Sequence, residues 1–289
     1  MAITPTRSTL KPIPILRSLA LGLAASFAGQ AVLAQGAQDC HAPEWAALPA
    51  EPLPALARKL ATQGAPVTIV VLGPLPGGGR ARESGAVAYP SRLQALLGEA
   101  WPGRSVKVES IGKSRGNVHE QRALIDKRVL PLAPELVIWQ IGRADARGAV
   151  PSTRFGQELL KGTSQLKSPV KPGVPPIDAI LMTMQFHPNS EALYRTDEYR
   201  NVIAWVGRTT DTTVVDRFTL IEHWWNAGSI DLDSQDPQVQ KADSDWVQRC
   251  VAERLAATVI EGVAVANASE ASSTPAQAVP PDRSGNRLR

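Results

Sequence analysis

Short apolar runs alternate with amphipathic stretches along most of this chain, the pattern produced by parallel strands joined by helices. Val67–Leu72 is a continuous apolar run and predicts a first strand. Leu93, Leu96, Leu97 and Trp101 share one face of a helix over 91–101, which Pro102-Gly103 stops. Val106–Val108 predicts a second strand, and 118–130 a second helix closed by Pro131. Leu136–Trp139 is apolar without alternation, as expected of a strand covered on both faces. Strands follow at 177–184 and 213–215, with helices over 191–206 and 218–227. Trp246, Val247, Cys250, Val251, Leu255 and Val259 form one stripe of a long final helix over 243–265. Right-handed crossovers fold such a chain into a three-layer α/β/α sandwich with about five parallel strands. Ligands of such sheets bind beyond the carboxyl ends of the strands, here the loops after Leu72, Val108, Trp139 and Met184.

The ends of the chain break this pattern. Residues 1–34 carry Arg7, Lys11 and Arg17, then an apolar stretch from Ser18, then the small-residue exit Val32-Leu33-Ala34. This is the build of a secretory signal peptide, and its 17-residue apolar stretch is short for a membrane span. The reading implies a periplasmic or secreted protein without a stable span after cleavage. Cleavage removes three of the 31 Lys and Arg and none of the 27 Asp and Glu, so the formal charge falls from +4 to +1. That balance provides no clustered basic face for nucleic acid. Residues 35–54 are Ala/Pro-rich and read as an N-terminal strap, 55–266 as one domain, and 267–289 as a disordered tail too poor in large apolar groups to pack. Cys40 and Cys250 are the two cysteines, an even count in an exported chain that predicts a strap-to-helix disulfide.

The loop after the first strand reads Gly73-Pro74-Leu75-Pro76-Gly77-Gly78-Gly79-Arg80, with no Ser, Cys, Thr or Asp. It is not a phosphate cradle, because no Lys-Ser/Thr pair follows the glycines. The four histidines, His119, His187, His223 and His41, show no metal-ligand spacing, and no cofactor fingerprint is present.

Four segments in order resemble the SGNH/GDSL hydrolases, a family of secreted esterases. They are Val67–Gly79 for the nucleophile strand and turn, Tyr89-Pro90 through Trp101-Pro102-Gly103 for the next helix, Glu109–Gly112 for the oxyanion glycine, and Trp139–Asp145 for the asparagine loop. Asp245–Glu253 resembles the C-terminal helix, and the likeness spans roughly 67 to 265. It implies a flavodoxin-like SGNH fold and, for an active member, carboxylic-ester hydrolysis. The catalytic positions are substituted. The nucleophile falls on Leu75, or on Pro74 if the turn slips by one, and the asparagine on Ala144, while Gly112 is retained. Counted back from Trp246, the aspartate and histidine fall on Val239 and Ala242, and no histidine follows His223 in any register.

Acyl transfer needs a nucleophile with a base in hydrogen-bond reach, so the resemblance implies a fold without its chemistry. Three readings follow. The first is a pseudoenzyme binding a saccharide or acylated envelope polymer in the former cleft, with Gly73, Gly112, Arg143, Asp145 and His187 as ligand-binding candidates. The second is an esterase with relocated groups, Ser114 or another serine as nucleophile with His187 or His119 as base. The third is a structural or assembly protein with a vestigial cleft. Arg143 and Asp145 either bind a polar ligand, pair with each other or stand as solvated charges, and Trp224-Trp225 is either a sugar-stacking platform or one core residue beside a partly exposed one. Protein partners and oligomeric state are not encoded in these motifs.

Overall fold

The computed structural model describes residues 40, 43, 50–74, 87–113, 115–169, 176–188 and 194–273. Among these residues five strands form one parallel sheet: β1 Val67–Leu72, β2 Val106–Ile111, β3 Leu136–Gln140, β4 Asp178–Met182 and β5 Thr213–Val215, in the order β2-β1-β3-β4-β5. The registers are fixed by pairs such as Val67 with Val106, Ile69 with Leu136, Leu136 with Asp178 and Ile180 with Thr213. Every residue of β3 and β4 is buried, which is why both read as unbroken apolar runs. The sheet is thus the parallel α/β arrangement that the apolar pattern predicted, in the flavodoxin-like strand order that the family resemblance implied.

The helices are α1 Pro54–Ala61, α2 Tyr89–Ala100, α3 Val118–Leu124, α4 Arg143–Arg147, α5 Ser152–Lys167, α6 Thr196–Thr209, α7 Arg217–Asn226 and α8 Pro237–Ser273. α1 and α2 pack on α8 on one side of the sheet, while α3, α5 and α6 pack in sequence on the other. α3 begins with a complete capping box: Asn117 accepts from the Glu120 amide, and Glu120 accepts from the Asn117 amide. It ends in a π-helical turn over Ile125–Val129 and a tight turn over Leu130–Leu132, where Pro131 prevents a regular continuation.

Several elements differ from expectation. α1 occupies the start of the predicted domain, with Leu56 and Ala57 buried and its first amides held by the carboxylate of Asp178 at 3.2 and 2.8 Å. α5 fills the gap after β3, burying Phe155, Leu159 and Leu166. α8 begins six residues earlier than the predicted final helix and runs through residues 267–273, so the expected disordered tail starts as helix. Its burial ends at Ala266, and the short Ala/Ser continuation needs no apolar stripe to propagate an existing helix. The expected signal peptide over residues 1–34, most of the expected strap and residues 274–289 lie outside the described residues. Cys40 and Cys250 are bonded, with Cα atoms 5.2 Å apart and Cys250 fully buried. No helix of the described residues is long and apolar enough to cross a membrane.

Candidate functional site

The strand order reverses between β1 and β3, so their carboxyl ends open the crevice where such sheets place ligands. At its floor two glycines meet. The Gly73 amide donates to the Ile111 carbonyl oxygen at 3.0 Å, and a Cβ on Gly112 would lie 1.5 Å from the Gly73 carbonyl oxygen. Glycine at 112 is therefore demanded by backbone contact, whatever its neighbours do chemically. Leu75 and the rest of the glycine turn, together with Ser114, lie outside the described residues.

At the end of β3, Gln140 is 8% exposed and accepts from the Tyr89 hydroxyl at 3.2 Å. Tyr89 is held by its own amide, which donates to Gln248 of α8 at 2.9 Å. Burial pushes the phenol up to about 12, with Arg217 opposing, so Tyr89 is a neutral donor. Arg143 and Ala144 follow at the start of α4, Arg143 exposed and Ala144 half-buried. Desolvation, then the neighbouring Arg147, lowers the Arg143 pKa.

Asp145 does not lie exposed beside Arg143, and no bond joins the two. It is 0% exposed, and its carboxylate accepts from the Val118 amide at 3.0 and 3.2 Å, holding the first turn of α3. The reason is helical geometry: α4 turns position 145 inward under α3 while 143 faces out. Burial pushes its pKa up to about 6, against the hydrogen bond from Val118.

After β4, Thr183 donates to Asp216 at 2.8 Å and accepts from the Phe218 amide at 3.0 Å. Phe186 packs edge-on to Phe218 at 5.1 Å and tilted on Trp225 at 5.5 Å. His187 is exposed, with Nδ1 2.8 Å from the carbonyl oxygen of Pro188. His119 lies on α3 with Nδ1 3.1 Å from Glu158, a carboxylate also bound by Arg122 and Lys161. Neither of these two histidines has a hydroxyl or thiol nucleophile among these partners. His223 is half-buried within α7. Trp224 packs on Trp246 at 5.0 Å and is buried, so the adjacent tryptophans are split between core and rim and form no flat platform. Val239 and Ala242 sit within α8, not in a turn ahead of it, because the helix already starts at Pro237.

After β5 come Asp216, which caps α7, and Arg217, its first residue, neither of which the apolar pattern singles out. The Asp216 carboxylate takes Arg200 at 2.8 Å, Thr183 and Thr219. Burial alone would raise its pKa, but Arg200 and the hydroxyls outweigh that and hold it below the usual value. Arg217 turns the other way. Its Nη2 donates to Gln185 at 3.2 Å, and its guanidinium lies 5.6 Å from the Tyr89 ring centroid. Tyr89, Gln140, Gln185 and Arg217 thus form a polar layer across the carboxyl ends of β3, β4 and β5. Such a layer can recognise hydroxyl and carbonyl groups, but it supplies no attacking atom. Among the described residues no three His, Cys, Asp or Glu side chains are placed to hold a metal.

The sequence model of the non-GDSL lipase-like family matches residues 39–265. Among solved structures, similarity extends to a point mutant of Axe2, an acetyl-xylooligosaccharide esterase from Geobacillus, at 17% identity over 71% of this chain and 96% of that one, with a TM-score of 0.48. LAE5, an alpha/beta hydrolase from the metagenome of Lake Arreo, is 19% identical over 72% and 99% of the two chains, also at 0.48. The acetyl xylan esterase AlAXEase is 13% identical over 62% and 97%, at 0.48. No curated protein sequence matches the chain.

Proposed function

From the premise that the chain belongs to the non-GDSL lipase-like family, we propose that it is an exported, non-catalytic member that binds a polar ligand in the crevice at the strand ends. The observation that carries this reading is the layer of Tyr89, Gln140, Gln185 and Arg217, kept where the fold places ligands while no nucleophile–base pair stands there among the described residues. The sequence supports it independently. Leu75 cannot attack, Ala144 offers no amide side chain, and no histidine follows His223 to take a proton. Hydroxyl and amide groups suit the alternating donors and acceptors of a saccharide, and an acylated envelope polymer presents the same groups. Export is supported by the basic and apolar leader and by the Cys40–Cys250 bond, which persists in oxidising compartments.

The test is turnover of p-nitrophenyl acetate by the purified mature protein, beside titration with acetylated xylotetraose. Turnover at the level of a buffer blank, with saturable saccharide binding, is the expected result. Turnover above the blank would overturn the proposal, and its loss in Ser114→Ala would restore an esterase with a relocated nucleophile. Neither turnover nor binding would leave the crevice vestigial and overturn it as well.

A further inference from the structure

Among the described residues, Arg217 is a charged group buried in this fold without a counter-charge bonded to it. It is 3% exposed, its Nε has no hydrogen-bond partner, and among the described residues no carboxylate bonds to it. The adjacent Asp216 is committed to Arg200, Thr183 and Thr219. The charged neighbour that Arg217 does feel is Arg143, a second cation. Burial, with Arg143 adding to it and Tyr89 opposing, pushes the Arg217 pKa down to about 10, so the guanidinium still carries its charge at neutral pH.

Taking a cation out of water without an anion is costly, and an apolar side chain of similar size often serves packing better. Arg217 does little that packing requires: one amide contact, one aromatic face and an unused donor. The side chain also crosses the place where ligands sit. It leaves the end of β5, meets Gln185 beyond β4, and ends over Tyr89, whose hydroxyl bonds to Gln140 at the end of β3. A planar fork of donors held there matches an oxyanion, which guanidinium binds in bidentate fashion.

We propose that Arg217, with Gln185 beside it and Arg143 at the rim, is an oxyanion subsite of the crevice, and that the ligand is an acidic saccharide. The proposal rests on the crevice being a ligand site. Carboxylate and sulfate ester share the chemistry, and the experiment separates them.

The full mature protein is titrated calorimetrically with tetragalacturonate, a sulfated chondroitin tetrasaccharide and neutral xylotetraose. The wild type binds at least one acidic probe tenfold or more tighter than xylotetraose, and which one identifies carboxylate or sulfate. Arg217→Met brings the acidic probes to within about twofold of xylotetraose, while the unliganded variant melts at the same temperature or higher. Arg143→Gln, at an exposed position, reduces the preference about threefold and serves if Arg217→Met does not fold. An unchanged preference in both variants overturns the subsite. So does binding of xylotetraose with no gain for either acidic probe, a result that leaves the crevice reading intact. Silence from all three probes overturns the crevice reading and the subsite together.

Discussion

Gly112 lies against the backbone of Gly73 so closely that a Cβ at position 112 would stand 1.5 Å from the Gly73 carbonyl oxygen. The contact ties the end of β2 to the end of β1, where the crevice floor is built. Gly112→Ala must push these strand ends apart, and overpacking of this severity costs about 3 kcal/mol or more. Urea denaturation of the variant is expected to show a lower midpoint with an unchanged slope. A midpoint equal to wild type would mean that the two strand ends are not in contact in solution.

The Cys40–Cys250 bond spans 210 positions in sequence. Closing so long a loop removes entropy from the unfolded chain worth roughly 5 kcal/mol in the chain-entropy model. Reduction under native conditions followed by urea denaturation is expected to lower stability by several kcal/mol. An identical midpoint with and without reductant would show that the bond contributes nothing to the fold.

Two pH windows of opposite sign follow from two buried carboxylates and one half-buried carboxylate. Asp145 and Asp178 have pKa values raised by burial from 3.8 to about 6. The folded chain keeps these protons where the unfolded chain has lost them, so their contribution is full below about pH 4 and is lost as pH rises to 6. Glu158 behaves oppositely. Its hydrogen bond from Arg122 outweighs the effect of burial, and bonds from His119 and Lys161 add to it, holding its pKa down to about 2. Its contribution is present above pH 4.5 and disappears as pH falls toward 2. Melting temperature against pH is expected to lose part of its decline between pH 4 and 6 in Asp145→Asn, an effect on the order of 2 kcal/mol. Glu158→Gln is expected to flatten the acid limb below pH 4.5 instead. Parallel profiles for all three proteins would contradict both assignments.

Arg200 bonds to Asp216, Thr219 and Asp197 while its guanidinium lies 4.4 Å from the Phe218 ring centroid. Arg200→Ala leaves the Asp216 carboxylate without its cation at the start of α7. A loss of about 2 kcal/mol is expected, since the pair is only partly buried. Neutralising both partners with Arg200→Met and Asp216→Asn together is expected to recover some of it, which a double-mutant cycle measures.

The sheet is legible in the sequence because its strands advertise themselves. Val67–Leu72, Leu136–Trp139 and Thr213–Val215 are apolar runs bounded by polar or turn residues, and β5 falls where the run predicts it. α5 is harder to read because Gly156 and Gly162 interrupt the stripe of Phe155, Leu159 and Leu166. Both glycines abut large side chains, Val202 and Trp139, that leave no space for a Cβ. α1 is hidden by its Pro- and Ala-rich composition, although Leu53, Leu56 and Leu60 keep a helical spacing. The site is less legible than the fold. Asp145 and Arg143 follow β3 as expected, but two residues along a helix point in different directions, so Asp145 is buried while Arg143 is exposed. Tyr89, Gln140, Gln185 and Arg217 come together across separations of 51 and 32 residues, and no local pattern marks such a meeting.

Because the one cross-link joins residue 40 to residue 250, every peptide bond between them lies inside a closed covalent ring. A protease that cuts once anywhere in that ring opens it without releasing a fragment. Two pieces appear only after reduction, so intactness on a non-reducing gel is no measure of whether the crevice loops have been nicked.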